Sequence, residues 1–126
     1  MIGKTFFKGG TETGGIDTNP DYAQSLAEAK AQGQPVFLEF FSDAWPACVS
    51  LKPAVQALAQ KYGRQIRFIE ADVNSPAGVN LANEYQVTSI PALFFIDKDG
   101  NIVNSYVGAL SEEDLESYLK NLIQKW

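Results

Sequence analysis

Few side chains in this sequence can do covalent chemistry. Cys48 is the only cysteine and histidine is absent, so the chain cannot assemble the usual zinc sets, a Cys-His pair or a Ser-His-Asp triad. What is left is one thiol and the carboxylates near it. Cys48 ends the phrase Asp43-Ala44-Trp45-Pro46-Ala47-Cys48. Proline suits the first position of a helix, where its missing N–H would be unpaired anyway, so Trp45 and Cys48 are expected at and just inside a helix N-terminus. Glu39 lies in the middle of the apolar run that leads there. Burial would raise its pKa and make it a usable base, whereas partial exposure or a lysine partner would leave it an ordinary charge. Cys48 reads either as a small, partly buried hydrophobe or as a latent thiol that needs exposure and a depressed pKa. Trp45 reads either as a surface aromatic or as an anchor for a peptide or a second subunit.

The elements that must position these groups follow from pattern. Val36 to Phe41 is apolar on both faces apart from Glu39, as in a central strand covered by helices on both sides, and Ser42-Asp43-Ala44 breaks the run. Upstream, Asn19 is expected to cap a helix with Pro20 at its first position, and Tyr22, Leu26 and Ala29 recur at helical spacing until Gly33. Downstream, Leu51, Val55, Leu58 and Tyr62 form one apolar stripe of a helix that contains Pro53 and ends at Gly63. Ile66 to Asp72 is β-rich, and Ser75-Pro76 opens a third helix with Leu81, Ala82 and Tyr85 on its apolar face. Leu93 to Ile96 and Ile102 to Val107 flank the turn Asp97 to Asn101 as a hairpin. Ser111, with Asp114 three residues on, starts an amphipathic last helix carrying Leu115, Tyr118, Leu119, Leu122 and Ile123. The order is α-βα-βα-ββα.

The chain has 126 residues, enough for one domain that buries about two-thirds of its extended surface. Residues 1–17 are poor in apolar side chains after Phe7 and carry Gly9, Gly10, Gly14 and Gly15, so they are expected to form a flexible arm ahead of a single domain over 18–126. A net charge of −5 with scattered Lys and Arg opposes nucleic-acid binding. No apolar run approaches the ~20 residues that span a bilayer, and no metal or cofactor is expected. Met1 to Phe7 lack the apolar core of a signal peptide, which leaves a cytoplasmic protein and a periplasmic or secreted one with its signal removed both open.

Phe40, Phe41, Ser42, Asp43, Ala44, Cys48 and Pro53 resemble the active-site segment of the thioredoxin family: an aromatic lead-in, Trp, Cys-x-x-Cys, and a proline five residues after the second cysteine. Aligned without a gap, Cys48 falls on the second cysteine and Trp45 on the first. Thr88-Ser89-Ile90-Pro91 resembles the segment with the family's cis-proline, and Val107-Gly108-Ala109-Leu110-Ser111 resembles its last strand leaving for the final helix. The leading helix with its Ala29-Lys30…Gly33…Pro35-Val36 phrase is similar to domains of bacterial disulfide-reducing systems. The resemblance implies an α/β thioredoxin fold: a mixed sheet of about four strands, helices on both faces and an extra N-terminal helix.

For the site, the resemblance implies that Cys48 holds the resolving-cysteine position and Glu39 the buried-acid position, while Trp45 stands where the nucleophile is missing. A substrate groove would run past Ala44, Trp45, Pro46, Ile90, Pro91 and Gly108, taking an extended peptide or a protein disulfide. Trp45 has no nucleophilic atom, so dithiol catalysis should be abolished or nearly so. Ala44 and Trp45 are the two positions that depart from a family-like Asp-Trp-Cys-Pro-Ala-Cys, by engineering or by natural decay. A non-catalytic peptide- or protein-binding module is the alternative, with self-association through Trp45 a further expectation. A one-cysteine enzyme acting through Cys48 ranks last, for want of a base other than Glu39.

Overall fold

A computed structural model describes residues 14–124. Nine elements follow one another: β1 (Ile16–Asp17), α1 (Tyr22–Ala31), β2 (Val36–Phe41), α2 (Pro46–Tyr62), β3 (Arg67–Asp72), α3 (Pro76–Glu84), β4 (Ala92–Ile96), β5 (Ile102–Val107) and α4 (Glu112–Gln124). The sheet order is β1-β3-β2-β4-β5, which puts the most apolar strand at the centre. β3 runs parallel to both β1 and β2, β4 is antiparallel to β2, and β5 is antiparallel to β4. The architecture is the mixed α/β sandwich expected, with five strands where about four were anticipated.

The fifth strand corrects the boundary of the N-terminal arm. Ile16 and Asp17 pair with Phe68 and Ile69, and Asp17 is buried. Residues 1–13 of that arm lie outside the described residues. The edge strand is held by α2, where the Gly15 N–H donates to the Ala59 carbonyl at 2.9 Å. Gly63, at the end of α2, makes room for it. A Cβ there would lie 2.4 Å from the Gly15 nitrogen and 2.7 Å from the Gly14 Cα.

Alternation along the strands divides the core into two layers. Phe37, Phe68, Leu93 and Phe95 point to one face, where they meet Leu51, Val55 and Leu58 of α2 and Leu115, Leu119 and Leu122 of α4. Val36, Leu38, Phe40, Ile69 and Ala71 point to the other, against Ala29 of α1 and Leu81 of α3. Each such large side chain, fully buried, contributes about 1.5–3 kcal/mol of transfer free energy, so the position of β2 is dictated from both sides.

The helix starts at Pro46 and Pro76 fall where proline chemistry puts them, and Ser75 caps α3 by accepting the Gly78 N–H at 3.0 Å. α1 differs. Its cap is Asp21, which accepts the Gln24 N–H at 3.1 Å, while Asn19 accepts the Asp21 N–H at 3.0 Å. The residue before a proline is steered away from helical backbone, so Asn19 forms a local turn and the helix begins later. Ser111 caps α4 through the Asp114 N–H at 3.1 Å.

Candidate functional site

The β2 to α2 connection places the sequence's only thiol. β2 ends at Phe41, Ser42 turns the chain, and its Oγ and carbonyl O accept the N–H groups of Ala44 and Trp45, each at 3.2 Å. Trp45 is the N-cap residue of α2, with extended backbone and no side-chain capping bond. Its carbonyl instead receives the N–H groups of Cys48 and Val49 at 3.0 and 3.1 Å. The three-residue spacing then turns the two side chains to different surroundings. Trp45 is 53 % exposed, whereas Cys48 is 3 % exposed. Burial pushes the Cys48 thiol above its ordinary pKa, and the nearby carboxyls of Glu39 and Asp43 push it the same way against a backbone hydrogen bond at Ser42.

Behind the thiol lies a pair of carboxyls. Glu39 is 2 % exposed, and strand register sets it beside Glu70 on β3 and Leu93 on β4. Burial is the largest reason that Glu39 is pushed up to about 9, followed by the Glu70 charge and a hydrogen bond with that carboxyl, with Lys52 opposing. Glu70 is raised too, chiefly by burial. The Oε1 atom of Glu39 has no hydrogen-bond partner. Lys52, one turn beyond Cys48 on α2, pairs with Asp43 at 3.2 Å and lies 5.6 Å from the centre of the Phe41 ring.

A groove of about 210 Å³ opens on the other side of the helix tip, lined by Trp45, Val73, Val79, Ala82, Val87 and Ile90 together with the polar residues Asn83, Thr88 and Ser89. Trp45 and Ile90 thus share one surface. The Ile90–Pro91 peptide is cis. Pro91 itself is buried and its carbonyl receives the Gly108 N–H at 2.8 Å, which ties the last strand to this loop. Gly108 has φ 115°, a backbone conformation suited to glycine. Ala44 and Pro46 are exposed at the tip of α2 but do not line the groove. Sequence reasoning singled out Glu39 and missed Glu70 and Lys52, because the first is brought in by register and the second by helix phase. The Lys52 position, i+4 from Cys48, was the available signal.

Among the described residues there is no group of His, Cys, Asp and Glu that could hold a metal ion, and no helix long and apolar enough to cross a membrane. The sequence matches the family model of the thioredoxin-like domain over residues 22–123. It is 31% identical over 91 residues to the chloroplastic thioredoxin-like protein HCF164 of Oryza sativa, covering 72% of this chain and 35% of that protein. It is 30% identical over 102 residues to thioredoxin 1 of Synechococcus elongatus, covering 81% of this chain and 90% of that one. The chain thus spans about a third of the length of the first relative and nearly all of the second. The crystal structure of thioredoxin O2 from Arabidopsis thaliana in the oxidized state has a TM-score of 0.73 and 18% identity, over 89% of this chain and 96% of that one. The match over most of the domain, with the same fold beneath it, makes this chain a member of the thioredoxin-like family.

Proposed function

We propose that this chain is a thioredoxin-like domain of the thiol-disulfide oxidoreductase class whose own site carries no dithiol exchange. The observation that supports it most is the exchange of roles at the tip of α2: the exposed position holds an indole, 53 % exposed, and the only thiol is 3 % exposed. Dithiol exchange needs a thiolate that attacks a substrate sulfur, forming one S–S bond and expelling the other sulfur as thiolate. A second thiol must then attack the mixed disulfide to release the product. Trp45, at the position the alignment gives to the nucleophile, offers no sulfur for the first bond. Cys48 matches the second position, and its raised pKa keeps it a thiol at neutral pH. In this reading Glu39, which holds its proton at neutral pH, would have to give it up before it could take the Cys48 proton during resolution. The relatives named thioredoxin and thiol:disulfide interchange protein support the class.

Restoration tests it. Trp45→Cys made with Ala44→Trp puts a thiol at the uncapped helix N-terminus, where the dipole favours a thiolate, three residues from Cys48. Turnover of a model disulfide is expected from the restored protein and not from the parent at equal folding. Turnover by the parent would sink the proposal.

A second reading is favoured by the groove itself. Trp45, Val73, Val79 and Ile90 offer an apolar trough beside an exposed indole, suited to one apolar side chain of an extended peptide. The site then binds polypeptide without redox chemistry, or holds a second copy of the chain through Trp45. Trp45→Ala should weaken binding of an unfolded model peptide at least about tenfold, the effect of a modest hot spot. A restored protein that forms a disulfide between the introduced thiol and Cys48 yet reduces nothing would favour this second reading.

A further inference from the structure

We propose that Glu39 and Glu70 share a single proton across the β2–β3 pairing, and that loss of this proton draws Lys52 off Asp43 and onto the carboxylate pair, loosening the segment that carries Trp45. Its consequence for binding rests on the groove reading above; the proton and lysine steps do not.

The geometry begins with register. Glu39 and Glu70 are direct partners in the parallel β2–β3 ladder, so their side chains leave the same face of the sheet. Glu39 is almost wholly enclosed, and one of its oxygens has no partner. Two carboxylates so placed cannot both ionise without mutual repulsion in a poorly solvated site, whereas a carboxylic acid and a carboxylate can share one hydrogen bond. Glu70, half-buried at the mouth, is the route by which the proton leaves to solvent water.

The groups that face this pair come from every neighbouring element. β4 presents Leu93, α2 presents Cys48 and Lys52, and the β2–α2 loop presents Asp43. Lys52 is placed to respond. Its Nζ lies over Phe41, two residues along β2 from Glu39 on the same face, and it feels the charges of Asp43, Glu70 and Glu39 together. Its bond to Asp43 is an exposed one, with side chains 40 % and 73 % accessible, and such pairs are weak. A second buried negative charge therefore outcompetes Asp43 for the flexible ammonium. Asp43 then loses its cation, and the segment leading to Trp45 is left on the Ser42 contacts alone.

The test uses the whole chain with Trp126→Phe and Cys48→Ala, so that Trp45 is the only indole and no thiol titrates. Trp45 emission and the infrared band of protonated carboxyl groups are followed from about pH 6 to 10. Both should change together with a midpoint near 9. Glu70→Gln, an isosteric change, should lower that midpoint by at least about one pH unit, because the repelling charge is gone. Lys52→Met should retain the infrared titration and abolish the emission change. Absence of a protonated carboxyl band at neutral pH would overturn the shared proton, and an emission change that is missing in the parent or survives Lys52→Met would overturn the transfer of the lysine. Peptide affinity independent of pH, with both optical titrations intact, would count against the groove reading instead.

Discussion

Arg67 and Glu70 stand three residues apart on β3 and leave opposite faces of the sheet. Arg67 is 0 % exposed, yet nearly every donor has a partner: Nε on Gln34 at 3.0 Å, Nη1 on Asp17 at 3.2 Å and Glu28 at 3.1 Å, Nη2 on Gln32 at 3.3 Å. The charge is matched and its fork-shaped donor set is used. Glu70 and Glu39 form the reverse case, two like groups side by side with one oxygen orphaned. The first site costs little once assembled because everything in it is answered. The second is tolerated by keeping a proton. Buried polarity near Arg67 therefore acts as a fastener for β1 and α1, whereas near Cys48 it acts as a store of unspent electrostatic energy beside the only thiol.

Removing the fastener should have the largest effect. Arg67→Met leaves Asp17 buried without its cation, and breaking a buried pair from one side costs about 3–5 kcal/mol. Urea denaturation at neutral pH would show it, and a loss under about 1 kcal/mol would mean that the network adds no more than a surface pair. The acid pair should respond with the opposite sign. The Glu39 pKa rises from 4.5 to about 9 on folding, so between those values the unfolded chain binds fewer protons and stability falls as pH rises, by up to about 1.4 kcal/mol per unit. Glu39→Gln should remove that slope and stabilise the protein at pH 8 while leaving it no more stable at pH 4. A parent protein equally stable at pH 5 and pH 8 would contradict the uncompensated burial.

Smaller changes separate the latch from the charges. Gly63→Ala forces a Cβ against Gly15 and the Ala59 carbonyl of α2 without touching Arg67, so it should cost about 1–2 kcal/mol, the scale of local overpacking. Faster hydrogen exchange would be confined to Ile16, Asp17, their β3 partners and the last turn of α2, whose Ala59 carbonyl accepts the Gly63 N–H. If the whole sheet exchanges faster, β1 is integral to the core and not a latch. The smallest effect belongs to Trp45→Ala, which should leave stability within about 0.5 kcal/mol, since the indole is a surface group whose value lies in what it touches.

Local signals made most of the architecture legible. The apolar run of β2, broken only by Glu39, the prolines at 46 and 76 and the stripe on α2 each act over a few residues, and they fell where pattern puts them. Ile16 and Asp17 carried no pattern of their own; they are a strand because β3 offers an edge. Arg67 at the head of a strand looks like an ordinary solvated charge, and its partners lie up to 50 residues away in sequence. Asn19 and Asp21 are equally good caps by type, and the proline between them decided the matter. At the site, Cys48, Glu39 and Trp45 could be singled out because each is the odd residue in its stretch. Glu70 could not, since an acid in an alternating strand is commonplace until register sets it against another acid.

The central claim is that this chain's only thiol is buried and idle while an indole holds the exposed position at the tip of α2, and its reactivity tests that claim most directly. Reaction of Cys48 with an aromatic disulfide reagent would be timed near pH 8 in the native protein and in denaturant. Burial and a raised pKa predict a native rate at least about tenfold below the unfolded one. Equal rates in the two states would show an accessible, reactive thiol and would contradict the account.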